Sequence, residues 1–215
     1  MKNLFNRNLL LRIFSLVIFI PAMLLPIVTS NYLLLIVYIF FNSVILHEIQ
    51  LMKVQGVKKK LLIIYKLLIT FVFFVFILIN ITTSMTSIDI IVIIVTIWLF
   101  DTFSFLGGKI IGGKKLMPSI SSGKTQSGLV VGTTATLLIL YIYSIIFNNF
   151  SLKYLLFISL ILLFAFLGDA IASIVKRMSS IKDSGSIMPG HGGLLDRLDS
   201  FLGVFFFIGI YQLLS

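Results

Sequence analysis

The sequence predicts an all-α, polytopic transmembrane protein, and three observations carry that prediction. Of its 215 residues, 59% are hydrophobic and only 11% charged, with a mean hydropathy of +1.16; a single soluble core cannot hide that much apolar surface. The apolar residues come in continuous runs rather than in alternation, which favours helices over a barrel. The runs are also long enough, since a helix needs about 20 residues to cross roughly 30 Å of hydrocarbon.

In chain order the candidate spans fall near 9–29, 31–46, 61–80, 88–106, 128–148, 152–172 and 200–214, about seven spans with a range of roughly six to nine. The first carries Pro21 and Pro26 and the second is short, so a broken or re-entrant pair is the alternative there. Lys2, Arg7 and Arg12 precede the first run. That run is longer than a usual signal core and no small-residue cleavage site follows it, so a signal peptide is the less favoured reading. Cysteine is absent, which excludes disulfides and thiolate metal sites.

A net charge of +10 would suggest nucleic acid in a soluble protein, but its distribution points elsewhere. With a cytoplasmic amino terminus, every Lys and Arg except Lys153 falls at or near the cytoplasmic side, as the positive-inside rule requires. Nucleic acid is therefore not an expected partner; the lipid bilayer is. "VKKK" at 57–60 reads as a topology signal touching anionic headgroups. Residues 1–215 read as one integral-membrane domain, with amino-terminal helices over 1–100 and the motif-bearing half over 101–215. The predicted outer loops are short and nearly uncharged. Two polar segments on the inner side, Asp101–Gly128 and Gly168–Ser200, are rich in Gly, Ser, Lys and Asp. His47 and Glu48, following a helix end, are expected to be structural or interfacial.

Of seven acidic residues, Asp101, Asp169, Asp183, Asp196 and Asp199 lie in or beside those two segments. Asp101 and Asp169 abut apolar runs, where an ionised, unpaired carboxylate is destabilising by several kcal/mol and needs a cation or metal partner. Carboxylates with many Gly and Ser, one nearby His and no Cys suit a hard cation such as magnesium better than zinc. Lys109, Lys114, Lys115, Lys124, Lys176, Arg177, Lys182 and Arg197 add positive charge suited to a polyphosphate. The expectation is phosphate chemistry at the inner membrane surface. "SSGKT" at 121–125 is not read as a P-loop, because Pro118 stands where that motif needs Gly and a membrane helix precedes it; Lys124 remains a candidate phosphate contact. "GKIIG", Gly108–Gly112, fits either small-residue helix packing or a flexible substrate loop.

The stretch "SIVKRMSSIKDSGSIMPGHGGLLDRLD", Ser173–Asp199, resembles the long signature of phosphatidate cytidylyltransferases, also called CDP-diacylglycerol synthases, at every fixed position. "DTFSFLGGKIIGGKKLMPSISSGKTQSG", Asp101–Gly128, resembles that family's second conserved stretch, with Ser122 where Pro is usual and Ser127 where Glu is common. The second departure removes a carboxylate, and Ser127 is given no catalytic role. The resemblance runs from Asp101 to the carboxyl terminus, while the amino-terminal half shares only its hydrophobicity.

That resemblance implies a nucleotidyltransferase of phospholipid biosynthesis, in which CTP and phosphatidate give CDP-diacylglycerol and pyrophosphate. It implies a multi-pass protein of the cell membrane, in bacteria the inner membrane, with the site facing the cytoplasm. By analogy, Asp169 and Asp196 would be the principal magnesium carboxylates, with Asp183 and Asp199 close by. Lys176, Arg177, Lys182 and Arg197 would hold phosphates. His191 would contact a phosphate or the nucleotide, or would simply be a turn residue among glycines. Asp101 would bind metal or orient a lysine. A second, monovalent ion and a homodimer are further possibilities that the family brings. The competing readings are a CTP-dependent polyprenol or lipid kinase and, more remotely, a transporter, which would place its carboxylates nearer the middle of helices. If Lys60 is only a topology residue, Lys60→Gln should leave the specific activity of purified protein nearly unchanged.

Overall fold

A computed structural model describes residues 2–29, 31–82, 86–147, 151–188 and 192–214. It contains seven helices, α1 (Lys2–Thr29), α2 (Asn31–Gln50), α3 (Val57–Thr82), α4 (Ser87–Ile110), α5 (Gln126–Ile146), α6 (Leu152–Met178) and α7 (Leu195–Leu214). Between α4 and α5 lie two short strands, β1 (Lys115–Met117) and β2 (Ser121–Thr125). In hydrocarbon each backbone N–H and C=O must find its partner within the segment, and only the helix does this for a single apolar run. Five helical stretches are long and apolar enough to cross a membrane: Tyr32–Gln50, Val57–Asn80, Ser87–Ile110, Gln126–Ile146 and Leu152–Met178. The outward faces of these helices carry exposed Phe40, Ile64, Phe74 and Leu138, as a lipid-facing surface requires. The fold is an all-α, polytopic membrane protein.

The amino-terminal pair is regular. Pro21 and Pro26 sit inside α1 rather than breaking it, and α2 is a full 20-residue helix. His47 and Glu48 lie within its last turn, not beyond its end.

Helix starts are set by local chemistry. Thr86 and Asp89 form a capping box at α4. Thr125 Oγ1 accepts from Gly128 N at 3.1 Å to cap α5, and Ser151 Oγ accepts from Tyr154 N at 3.1 Å to cap α6. The α4–α5 connection, expected to be a polar loop, is an antiparallel hairpin pairing Lys115 with Thr125 and Met117 with Ser121. It follows a turn at Gly112 and Gly113, whose φ values of +69° and +104° suit residues without a Cβ. In "GKIIG", Gly108 packs closely, since a Cβ there would lie 2.8 Å from Thr125 Oγ1, and Gly112 turns the chain.

The core runs through Tyr38, Phe73, Phe201 and Phe205, all fully buried, with Phe76 stacked on Phe205 at a centroid distance of 3.8 Å. What positions the polar residues is the α6–α7 crossing. A Cβ on Gly168 would come within 2.5 Å of Asp199 O and 2.8 Å of Gly203 N. Backbone therefore lies on backbone, and Asp169 is carried up against the first turns of α7. Since the nearest atoms are main-chain atoms of α7, Gly168→Ala must push the helices apart. It should destabilise the protein by about 1–3 kcal/mol, the usual range for overpacking, read as a lower melting temperature in detergent together with reduced activity.

Candidate active site

Four carboxylates reach one cavity of about 310 Å³, lined by Asp101 of α4, Lys124 of β2, Asp169 of α6 and Asp196, Asp199 and Ser200 of α7. Three long helices and a hairpin thus each deliver polar groups to a common point. Phe100, Phe105, Leu116 and Phe166 supply its apolar wall.

Each charge in this wall has a partner. Lys124 Nζ lies 2.7 Å from Asp169 Oδ2 and 4.7 Å from the centroid of the Phe166 ring, a cation–π contact. Ser173, one turn after Asp169, donates its hydroxyl to Asp169 Oδ1 at 3.2 Å. Lys176 Nζ is 2.6 Å from Asp196 Oδ1 and 3.8 Å from Asp199 Oδ2. This pair is buried, with side-chain accessibilities of 8% and 7% for Lys176 and Asp196. Asp196 Oδ2 accepts from Ser184 N at 2.8 Å and Gly193 N at 2.9 Å, with Ser184 Oγ 3.2 Å away. Ser200 donates its hydroxyl to Asp101 Oδ1 at 3.4 Å and its N–H to Asp199 Oδ1 at 3.0 Å. Four carboxylates thus face two lysines, an excess of acidic groups that a bound cation would balance.

The donor chemistry fits a hard cation, being carboxylate and hydroxyl oxygen throughout. Among the described residues, no three acidic or imidazole side chains already converge at ligand distance. Lys124 and Lys176 instead occupy oxygens of Asp169 and Asp196. Other expected site residues stand further out. Arg177 donates Nε to Ile120 O at 2.9 Å and Nη1 to Ile181 O at 2.5 Å, fastening the hairpin tip to the end of α6. Lys182 and Asp183 are exposed on the α6–α7 connection, and Arg197 is half-buried in the first turn of α7; none of these three lines the cavity. His191 falls outside the described residues. Ser127, where the family commonly has Glu, donates its hydroxyl to Gly112 O and contacts Thr125 Oγ1 at 3.1 Å, closing the turn below the hairpin.

Glu48, expected from the sequence to be structural or interfacial, stands beside this network. Glu48, buried at 1% exposure, accepts from Ser184 Oγ at 2.7 Å, Leu194 N at 2.7 Å and Leu195 N at 3.0 Å. The signal was available: a carboxylate in an apolar helix is as costly at 48 as at 101 or 169.

The family model of the cytidylyltransferase family matches residues 3–214, nearly the whole chain. The chain belongs to the cytidylyltransferase family. It is similar to a Rickettsia conorii protein named phosphatidate cytidylyltransferase, 37% identical over 208 residues that cover 91% of this chain and 87% of the relative. Proteins of the same name are 49% identical over 126 residues in Rickettsia typhi and 43% identical over 116 residues in Bacillus subtilis. Those two matches cover 54% and 53% of this chain, and 55% and 43% of the relatives. The chain thus spans about half the length of most of the curated relatives it matches.

The buried Lys176–Asp196 pair holds the start of α7 against α6. Lys176→Met leaves Asp196 and Asp199 without their cation, and should cost about 3–5 kcal/mol, as removal of one member of a buried pair does. The expected readout is a large fall in melting temperature in detergent.

Proposed function

We propose that this protein is a phosphatidate cytidylyltransferase, converting CTP and phosphatidate into CDP-diacylglycerol and pyrophosphate. The observation that carries the reading is the convergence of Asp101, Asp169, Asp196, Asp199 and Lys124 on one cavity, in a membrane protein whose family and relatives bear that chemistry in their names. A lipid phosphate and a soluble nucleotide can meet only at such a polar site on an apolar bundle. The charge distribution supports a cytoplasmic site, in bacteria at the inner membrane.

The nucleophile is a phosphate oxygen of phosphatidate, already anionic at neutral pH, so no strong general base is needed. It attacks the α-phosphorus of CTP in line; the new P–O bond forms as the bond to the bridging oxygen of pyrophosphate breaks. The barrier to overcome is repulsion between two anions. Lys124, half-buried, and Lys176, buried, both beside the carboxylates, would bind phosphate oxygens and hold the reactants in place. Asp169 and Asp196 would hold magnesium, with Asp101 and Asp199 adjoining. When bound, the ion supplies charge neutralisation of the triphosphate and of the departing pyrophosphate. Arg177, Lys182 and Arg197 remain candidates for outer phosphate contacts, and His191 for a nucleotide or phosphate contact. A second, monovalent ion and a homodimer accompany this reading as carry-overs from the family.

Purified protein with labelled CTP, magnesium and phosphatidate should release pyrophosphate and place cytidine in the lipid fraction. Release of CDP with phosphate alone in the lipid would establish a kinase instead. Asp169→Asn and Asp196→Asn should each abolish turnover while still inserting into membranes; either variant turning over at the parental rate would remove that residue from the ligand set.

A further inference from the structure

Helix α7 starts without a capping side chain of its own. Leu194 precedes it and cannot accept a hydrogen bond, yet the first N–H groups of a helix need acceptors. Asp196 takes Gly193 N. The next two, Leu194 N and Leu195 N, go to the two separate oxygens of Glu48 at 2.7 and 3.0 Å. The cap therefore comes from α2, at a sequence separation of 146 residues from Leu194. A carboxylate that is 1% exposed is tolerated in ionised form only with charge-assisted donors, and the positive end of a helix provides them.

Ser184 joins Glu48 to Asp196. Its hydroxyl has one proton, and the shorter contact, 2.7 Å, is to Glu48 Oε2. Its N–H then serves Asp196 Oδ2 at 2.8 Å. The loop wraps this carboxylate so tightly that a Cβ on Gly193 would lie 2.5 and 2.7 Å from the two Glu48 oxygens, and one on Gly185 would lie 3.1 Å from Oε1. Two glycines of the signature segment are thereby explained by a residue that lies outside that segment.

We infer that Glu48 is a positioning residue for the reaction: bound to Leu194, Leu195 and Ser184, its carboxylate fixes the loop and helix start that aim Asp196 into the cavity. The inference rests on the proposed role of Asp196 in holding magnesium. Gln at position 48 keeps the size but must turn an NH₂ toward either the Leu194 N–H or the Leu195 N–H and Ser184 hydroxyl. Removing a group that orients a metal ligand weakens metal affinity by about 10–100-fold.

The test uses the full chain in detergent, with manganese binding followed by electron paramagnetic resonance in the presence of CTP, and magnesium activation measured alongside. For Glu48→Gln the manganese midpoint should rise about tenfold or more, while KM for CTP at saturating magnesium stays within about twofold of the parental value. Ser184→Ala should move the midpoint in the same direction, and the double variant should be no worse than Glu48→Gln alone. A residue that merely stabilises the bundle would lower the melting temperature and leave the midpoint unmoved. Parental metal binding in both single variants overturns the assignment, and Ser184→Ala decides the matter if Glu48→Gln does not fold. A parental protein that neither binds manganese nor makes the cytidine-bearing lipid overturns the proposed function, and this assignment with it.

Discussion

An ionised carboxylate at the edge of an apolar bundle must be matched with a cation or with several hydrogen-bond donors, and this requirement organises the polar end of the protein. The effective penalty for an unmatched buried ion is several kcal/mol, comparable with a domain's whole margin of stability. Most matches here cross between elements. Asp169 of α6 meets Lys124 of β2, Asp196 of α7 meets Lys176 of α6, Asp101 of α4 meets Ser200 of α7, and Glu48 of α2 meets the start of α7. The same contacts that neutralise charge therefore help to set the relative placement of helices whose other contacts are largely apolar and weakly directional.

Close backbone approach makes these matches reachable. The Gly168–Gly203 contact brings α6 and α7 together where their carboxylates point into one space, and Gly128 lies under Ser104 O, where a Cβ would be 2.5 Å away. Arg177 holds the hairpin tip to the end of α6 through two backbone carbonyls. Lys124 is thus presented from a paired, anchored strand rather than from a free loop. The cavity is built on elements whose positions are fixed by packing, as the proposed stabilisation of a polyanionic transition state requires.

Much of this was legible in the sequence. Continuous apolar runs disclosed the helices and their approximate limits, because the bilayer imposes one length scale and one allowed backbone. The improbability of Asp101 and Asp169 beside hydrocarbon disclosed two walls of the site, and the Gly-rich signature disclosed the third. The hairpin at 115–125 was not visible, since a five-residue polar strand has no hydrophobic alternation to reveal it. Nor was the trans-capping of α7. Leu194 ahead of Leu195 shows that a cap is missing but carries no sign of where the acceptor comes from, and the distance in sequence to Glu48 hides the pairing. Arg177, expected at phosphates, is bound to Ile120 O and Ile181 O, a choice of partner that only tertiary placement makes.

The capping of α7 by a residue of α2 also bears on how independent the two parts of the chain can be. Separated from residues 1–100, the motif-bearing remainder would expose two main-chain donors and a serine hydroxyl to a gap where an anion had been, and α7 would lose neighbours Val75 and Phe76 of α3. The amino-terminal helices are thus more than a membrane tether. Through Glu48 they complete the secondary structure of the motif-bearing half, despite the uneven spread of recognisable motifs between the two parts.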